Sequence, residues 1–291
     1  MTPLLMALAA AQAAPSAPAA SAATPPAPPA STVPSPDERY RACAEQVRSD
    51  PTRAVETATA WQRAGGGFLA RQCLGLAYVQ LEMWASAATA FEEAARDAGQ
   101  VQDNRRADLL VQAGNAWLAV EEAGNAIRAF DSALEIQLTD AMRGEIHLDR
   151  ARARMANDEA PAARADVDQA LQLVPLDAFA WYMSAALARR ENDLPRATTD
   201  IARALQLGPD NPDIMLLAGT LAGLGGNMAE AERLYRRVVA TAPETPAGRA
   251  AAASLATLRE VEVPAAAAPA ATPAPQAPAT PSQTPPQPQS R

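Results

Sequence analysis

The sequence predicts an all-α protein, a solenoid of stacked helix pairs set between two flanks rich in Ala and Pro. Three observations predict it. The first is a recurring block, Ala-x-x-x-bulky-x-x-small. It is read at Ala87/Phe91/Ala94, Ala126/Phe130/Ala133, Ala163/Val167/Ala170, Ala197/Ile201/Ala204 and Ala231/Tyr235/Val238, in steps of 39, 37, 34 and 34 residues. The second is a small residue twelve places before each block: Gly75, Gly114, Ala151, Ala185 and Gly219. The third is proline: Pro175, Pro209 and Pro243 each follow the last three blocks by five residues. Spacings of four and three put each block on one helix face. Small residues at a crossing let two helix axes approach, and the bulky residue fills the groove between them. A single pair cannot cover its own apolar face, so units stack.

From the N-terminus, Leu4–Ala14 is small or apolar apart from Gln12, and Ala11-Gln12-Ala13 has the small-x-small form of a signal-peptidase site. The run is too short to span a membrane. Residues 1–13 are therefore expected to be a signal peptide, with export to the periplasm; a cytoplasmic chain with an uncleaved N-terminus is the alternative. Residues 14–36 read as a disordered Pro/Ala-rich linker, because so little apolar surface cannot offset ordering entropy. Residues 37–67 form a divergent helical pair. Asp50-Pro51 starts its second helix, with Pro in the first turn, and Ala54, Ala58 and Trp61 fill the block positions. Gly65-Gly66-Gly67 lacks the Lys-Ser/Thr of a phosphate loop and reads as a helix-joining turn.

Five units fill 68–245: 68–101, 107–140, 144–177, 178–211 and 212–245. Each has a first helix (A) and a second (B) that carries the block. Five and three extra residues precede the second and third units, which predicts longer loops or extended helix ends there. Residues 246–262, with Ala250, Leu255 and Leu258, read as the capping helix that a terminal repeat needs. Residues 263–291 read as a second disordered tail.

This pattern resembles the tetratricopeptide (TPR) family, whose period is 34 residues. The resemblance implies a right-handed superhelix that binds a protein or peptide segment and catalyses nothing. The family register places Gln112, Asn115, Arg152, Tyr182, Arg189 and Arg190 on the concave wall, where a partner would lie. Arg152, Tyr182, Arg189 and Arg190 together predict a partner segment with acidic and apolar residues. The set that clamps chaperone C-termini in some TPR domains is not matched: Asn115 fits, but its companions would be Val111, Asp149, Phe179 and Met183. The register also puts Cys43 and Cys73 on adjacent A helices. In an exported chain that implies a disulfide; otherwise they are two buried thiols. Arg150 and Arg154 stand where the family is apolar, either on a solvated edge with local ion pairs or as a charged strip in the groove.

Composition narrows function further. The net charge of -8 argues against nucleic acid, which rewards a basic stripe. There is no lysine; every basic side chain is Arg, which with the Ala and Pro content points to a high-GC bacterial genome. One His and two Cys, without CxxC or HxxxH spacing, make no zinc site. His147 falls on a packing position. No Gly-x-Ser-x-Gly elbow is present. The expectation is a scaffold of the bacterial envelope with no cofactor and no transmembrane segment. A cytoplasmic adaptor and a self-associating structural protein are its rivals.

Overall fold

A computed structural model describes residues 34–262. Thirteen α-helices, and no strand, occur among them. The first pair is α1 (Pro36–Ser49) with α2 (Pro51–Arg63). The next are α3 (Gly67–Gln80) with α4 (Trp84–Gln100), and α5 (Arg106–Ala119) with α6 (Ala123–Leu134). Then come α7 (Asp140–Ala156) with α8 (Ala160–Leu173), and α9 (Ala178–Arg190) with α10 (Leu194–Leu207). The last pair is α11 (Pro212–Leu224) with α12 (Met228–Thr241), closed by α13 (Pro246–Glu262). The expected signal segment, most of the expected linker and the tail lie outside the described residues. Ser35 and Pro36, at the end of that linker, cap and begin α1. The Ser35 hydroxyl accepts from the Glu38 N–H, and the Glu38 carboxylate accepts from the Ser35 N–H, a reciprocal capping box.

All five blocks are buried. The packing explains why the opposing small residue varies. A Cβ on Gly75, Gly114 or Gly219 would lie 2.6, 2.6 and 2.7 Å from the rings of Phe91, Phe130 and Tyr235. Where the block carries Val167 or Ile201 instead, the facing residue is Ala151 or Ala185, and both members of each pair share one core cluster. A flat ring needs the glycine, and a branched aliphatic side chain leaves room for a methyl.

The turn from A to B is the same in all five units. Glu82, Glu121, Asp158, Asn192 and Gly226 hold the left-handed conformation, with φ of 57°, 61°, 57°, 62° and 82°. The N–H that follows each reaches back five residues, as from Met83 to the Tyr78 carbonyl (2.8 Å) and from Asn227 to the Ala222 carbonyl (2.9 Å). These bonds satisfy carbonyls that the ending helix leaves open. Side chains of Thr139, Asp177, Asp193, Asn211 and Asn227 cap the helices that follow. The insertions lengthen both a loop and a helix: residues 101–105 form the turn after α4, which itself runs on to Gln100, and α7 starts four residues before Gly144.

Two details depart from the sequence reading. In α13 the inward face is Ala247, Ala251 and Leu255, while Ala250 is exposed, because the buried stripe steps by four from Ala247. Arg150 and Arg154 line neither a solvated edge nor the groove. Both donate to Asp166 of α8, at 2.6 and 2.7 Å, and Arg150 also donates to Asp131 of α6 at 2.6 Å. His147 Nδ1 lies 2.8 Å from the same Asp166, whose side chain is 2% exposed. Charge removed from water is tolerated only when paired, and here the arginines and the carboxylate supply each other's partners. The equivalent place one pair later holds Ser184 and Asp200, joined at 2.6 Å and also buried.

Candidate functional site

The A helices α5, α7 and α9 carry the six side chains assigned to the concave wall from sequence, together with neighbours, including Asp213 of α11, that change its character. Between α5 and α7 lies a cleft of about 250 Å³ lined by Asp108, Val111, Gln112, Met142, Glu145, Ile146 and Asp149. Asn115 and Arg152 converge on its Asp149. The Asn115 amide donates to one carboxylate oxygen at 3.2 Å and Arg152 to the other at 2.9 Å. Gln112 lies in the cleft wall, and its Oε1 is buried with no hydrogen-bond partner among the described residues. Asp108 and Glu145 make no ion pair among the described residues, and both are exposed. Asp108 also sits in the first turn of α5, where the helix dipole favours a carboxylate.

On α9 the wall turns aromatic. Phe179 and Tyr182 stack with centroids 5.8 Å apart and planes 27° apart. Phe179 is 40% exposed, whereas Met183, the next wall position, is buried in the core between neighbouring helices. Burial pushes the Tyr182 hydroxyl above its ordinary value; nearby Asp213 of α11 pushes the same way, and Arg189 opposes both. Arg190 is tied back to α7, donating to the Met155 carbonyl at 3.1 Å and to Asp158 at 2.7 Å. Arg189 is exposed and has no ion-pair partner among the described residues. The structure thus gathers Gln112, Asn115 and Arg152 around the α5–α7 cleft and Tyr182, Arg189 and Arg190 on α9. Met142 and Ile146 were missed from sequence. Met142 enters the cleft because α7 begins early, and the three-residue insertion was its only signal.

A further cleft of about 760 Å³ lies between α1 and α2, lined by residues including Arg39, Cys43 and Trp61. The Arg39 guanidinium lies 4.9 Å from the Trp61 ring centroid. Beside this cleft, Cys43 of α1 and Cys73 of α3 are joined by a disulfide, with Cα atoms 6.2 Å apart. No group of three or more His, Cys, Asp or Glu side chains arranged to hold a metal occurs among the described residues.

Comparison with known proteins places this architecture. Residues 188–255, from the last turn of α9 into α13, match the family described as Tetratricopeptide repeat. No curated protein matches the chain. Among solved structures, PilF of Pseudomonas aeruginosa has 15% identity and a TM-score of 0.58, over 75% of this chain and 97% of that one. PilW, titled a widely conserved type IV pilus biogenesis factor, has 17% identity and a TM-score of 0.59 over 74% of this chain and 96% of its own. BtubC from P. vanneervenii has 17% identity and a TM-score of 0.55 over 73% and 92%. The chain has the tetratricopeptide repeat fold, and within it residues 188–255 match the Tetratricopeptide repeat family itself.

Proposed function

We propose that the protein is a non-catalytic scaffold of the bacterial cell envelope that binds an extended segment of a partner protein along the A helices α5 to α11. One observation carries the binding reading: a stacked aromatic pair, the exposed Phe179 and the half-buried Tyr182, sits on the same wall as a cleft of mixed polar and apolar lining. Exposed aromatic side chains cost solvent contact, are enriched at interfaces, and offer rigid apolar area at small entropic cost. The small/apolar run at Leu4–Ala14 and the Cys43–Cys73 bond support an exported location, since disulfides persist in oxidising compartments.

A photo-activatable residue at position 182 should cross-link a partner in the native cell, and the same group at Thr198 of α10 should not. Phe179→Ala combined with Tyr182→Ala should then weaken binding of that partner by about 1–3 kcal/mol, the range for losing interface anchors. Circular dichroism should show unchanged helix content. Cross-linking from Thr198 with none from position 182 would move the site to the B-helix face.

A further inference from the structure

We infer that the segment bound in this groove is basic: an extended stretch of another protein in which Arg or Lys alternates with apolar residues. The inference rests on the groove reading above and specifies its ligand. It starts from an inventory of hydrogen-bonding groups. The α5–α7 cleft offers the exposed carboxylates of Asp108 and Glu145, beside Asp149, whose two oxygens already accept from Asn115 and Arg152. Its one neighbouring cation is already used, since Arg152 binds Asp149, as does the Asn115 amide, and the remaining donor in the wall, the Gln112 amide, is neutral. A ligand must therefore bring donors, and a guanidinium or ammonium brings them with the complementary charge. Val111, Met142 and Ile146 in the same cleft give an apolar floor for the stem of such a side chain.

Further along, the Phe179–Tyr182 pair is flanked by Asp213, a third carboxylate without an ion pair among the described residues. An aromatic face beside a carboxylate suits a second cation or an apolar residue. The cations expected here from sequence are mostly spent. Arg152 is paired with Asp149 and Arg190 with Asp158, which leaves Arg189 against Asp108, Glu145 and Asp213. The chain's own flanks cannot supply the ligand, because Arg291 is the only charged side chain outside 37–262. The proposed occupant is therefore a segment of another protein.

The test uses the full chain and two labelled synthetic peptides, one of alternating Arg and Leu and its twin with Glu in place of Arg, read by fluorescence anisotropy. The Arg peptide should bind, less tightly as salt rises. D108N combined with E145Q should weaken it about tenfold, the scale of a lost close charge pair. E121Q combined with E135Q changes the net charge equally, away from the cleft, and should leave binding unchanged. Failure of the Arg peptide to bind, or an equal loss in the control variant, overturns the inference. Binding of the Glu twin that is lost in the Phe179→Ala/Tyr182→Ala variant would reverse the polarity and leave the groove standing. The groove itself falls only on the cross-linking result at position 182.

Discussion

Gly114 shows how much of this architecture turns on single contacts. Its Cα faces the Phe130 ring, which is fully buried, and a Cβ there would sit 2.6 Å from two ring carbons. Alanine favours a helix over glycine by about 1 kcal/mol. Overpacking a closed core costs about 1–3 kcal/mol, so the clash wins. Gly114→Ala should lower unfolding free energy in urea by about 1–2 kcal/mol. The chain also contains the remedy, since Ala151 lives beside Val167 in the next pair. Phe130→Val alone should destabilise by leaving a cavity. Added to Gly114→Ala, it should cost less than the two single changes summed, by about 1 kcal/mol. Strict additivity would show that the glycine is not there to admit the ring.

At the scale of the helix, the α7–α8 hairpin is held by a charged centre at the place where α9–α10 has the buried Ser184–Asp200 hydrogen bond. Burial pushes the Asp166 carboxyl up, but hydrogen bonds from His147 and Arg150 and the charges of Arg150 and Arg154 outweigh it and hold it below its ordinary 3.8. A depressed carboxyl stabilises the fold fully above its unfolded value and loses that contribution as pH falls through the folded value. Melting temperature should therefore fall as pH drops below about 4, and less steeply in Asp166→Asn. At neutral pH that variant should lose about 2–3 kcal/mol, below the full cost of breaking a buried pair, because Arg150 and Arg154 are partly exposed and Arg150 keeps Asp131. An unchanged acid limb would place the titrating group elsewhere.

The legible and illegible parts of the chain divide along the same line. Helix pairing was readable because a buried block has a fixed spacing, and spacing is visible in one dimension. The partner of Arg150 was not, since Asp149, Asp158, Asp166 and Asp168 were all close in sequence and only the crossing of α7 and α8 selects Asp166. The groove suffered the same ambiguity. Register put Arg152 and Arg190 on the wall, but Asp149 and Asp158 neutralise them, and that changes the charge a ligand would meet.

Across the whole molecule, each unit packs on its neighbours, so stability is close to a sum of units and interfaces rather than one cooperative core. The first unit is the weak term. In α1 only Cys43 and Val47 are buried, against seven residues in α4. The Cys43–Cys73 bond fastens α1 to α3 across a sequence separation of 30 residues. Closing a loop of that size contributes about 3 kcal/mol, and in a solenoid the gain stays local. Reduction should therefore raise amide exchange in α1 and α2 and leave α5 to α13 protected as before. A uniform loss of protection would mean that the array unfolds as one unit. The same bond reports on compartment. Protein taken from its native cell and denatured without reductant should show no free thiol to a labelling reagent if it is exported. Two labelled cysteines would remove the disulfide in vivo, and with it one of the two supports for the envelope location.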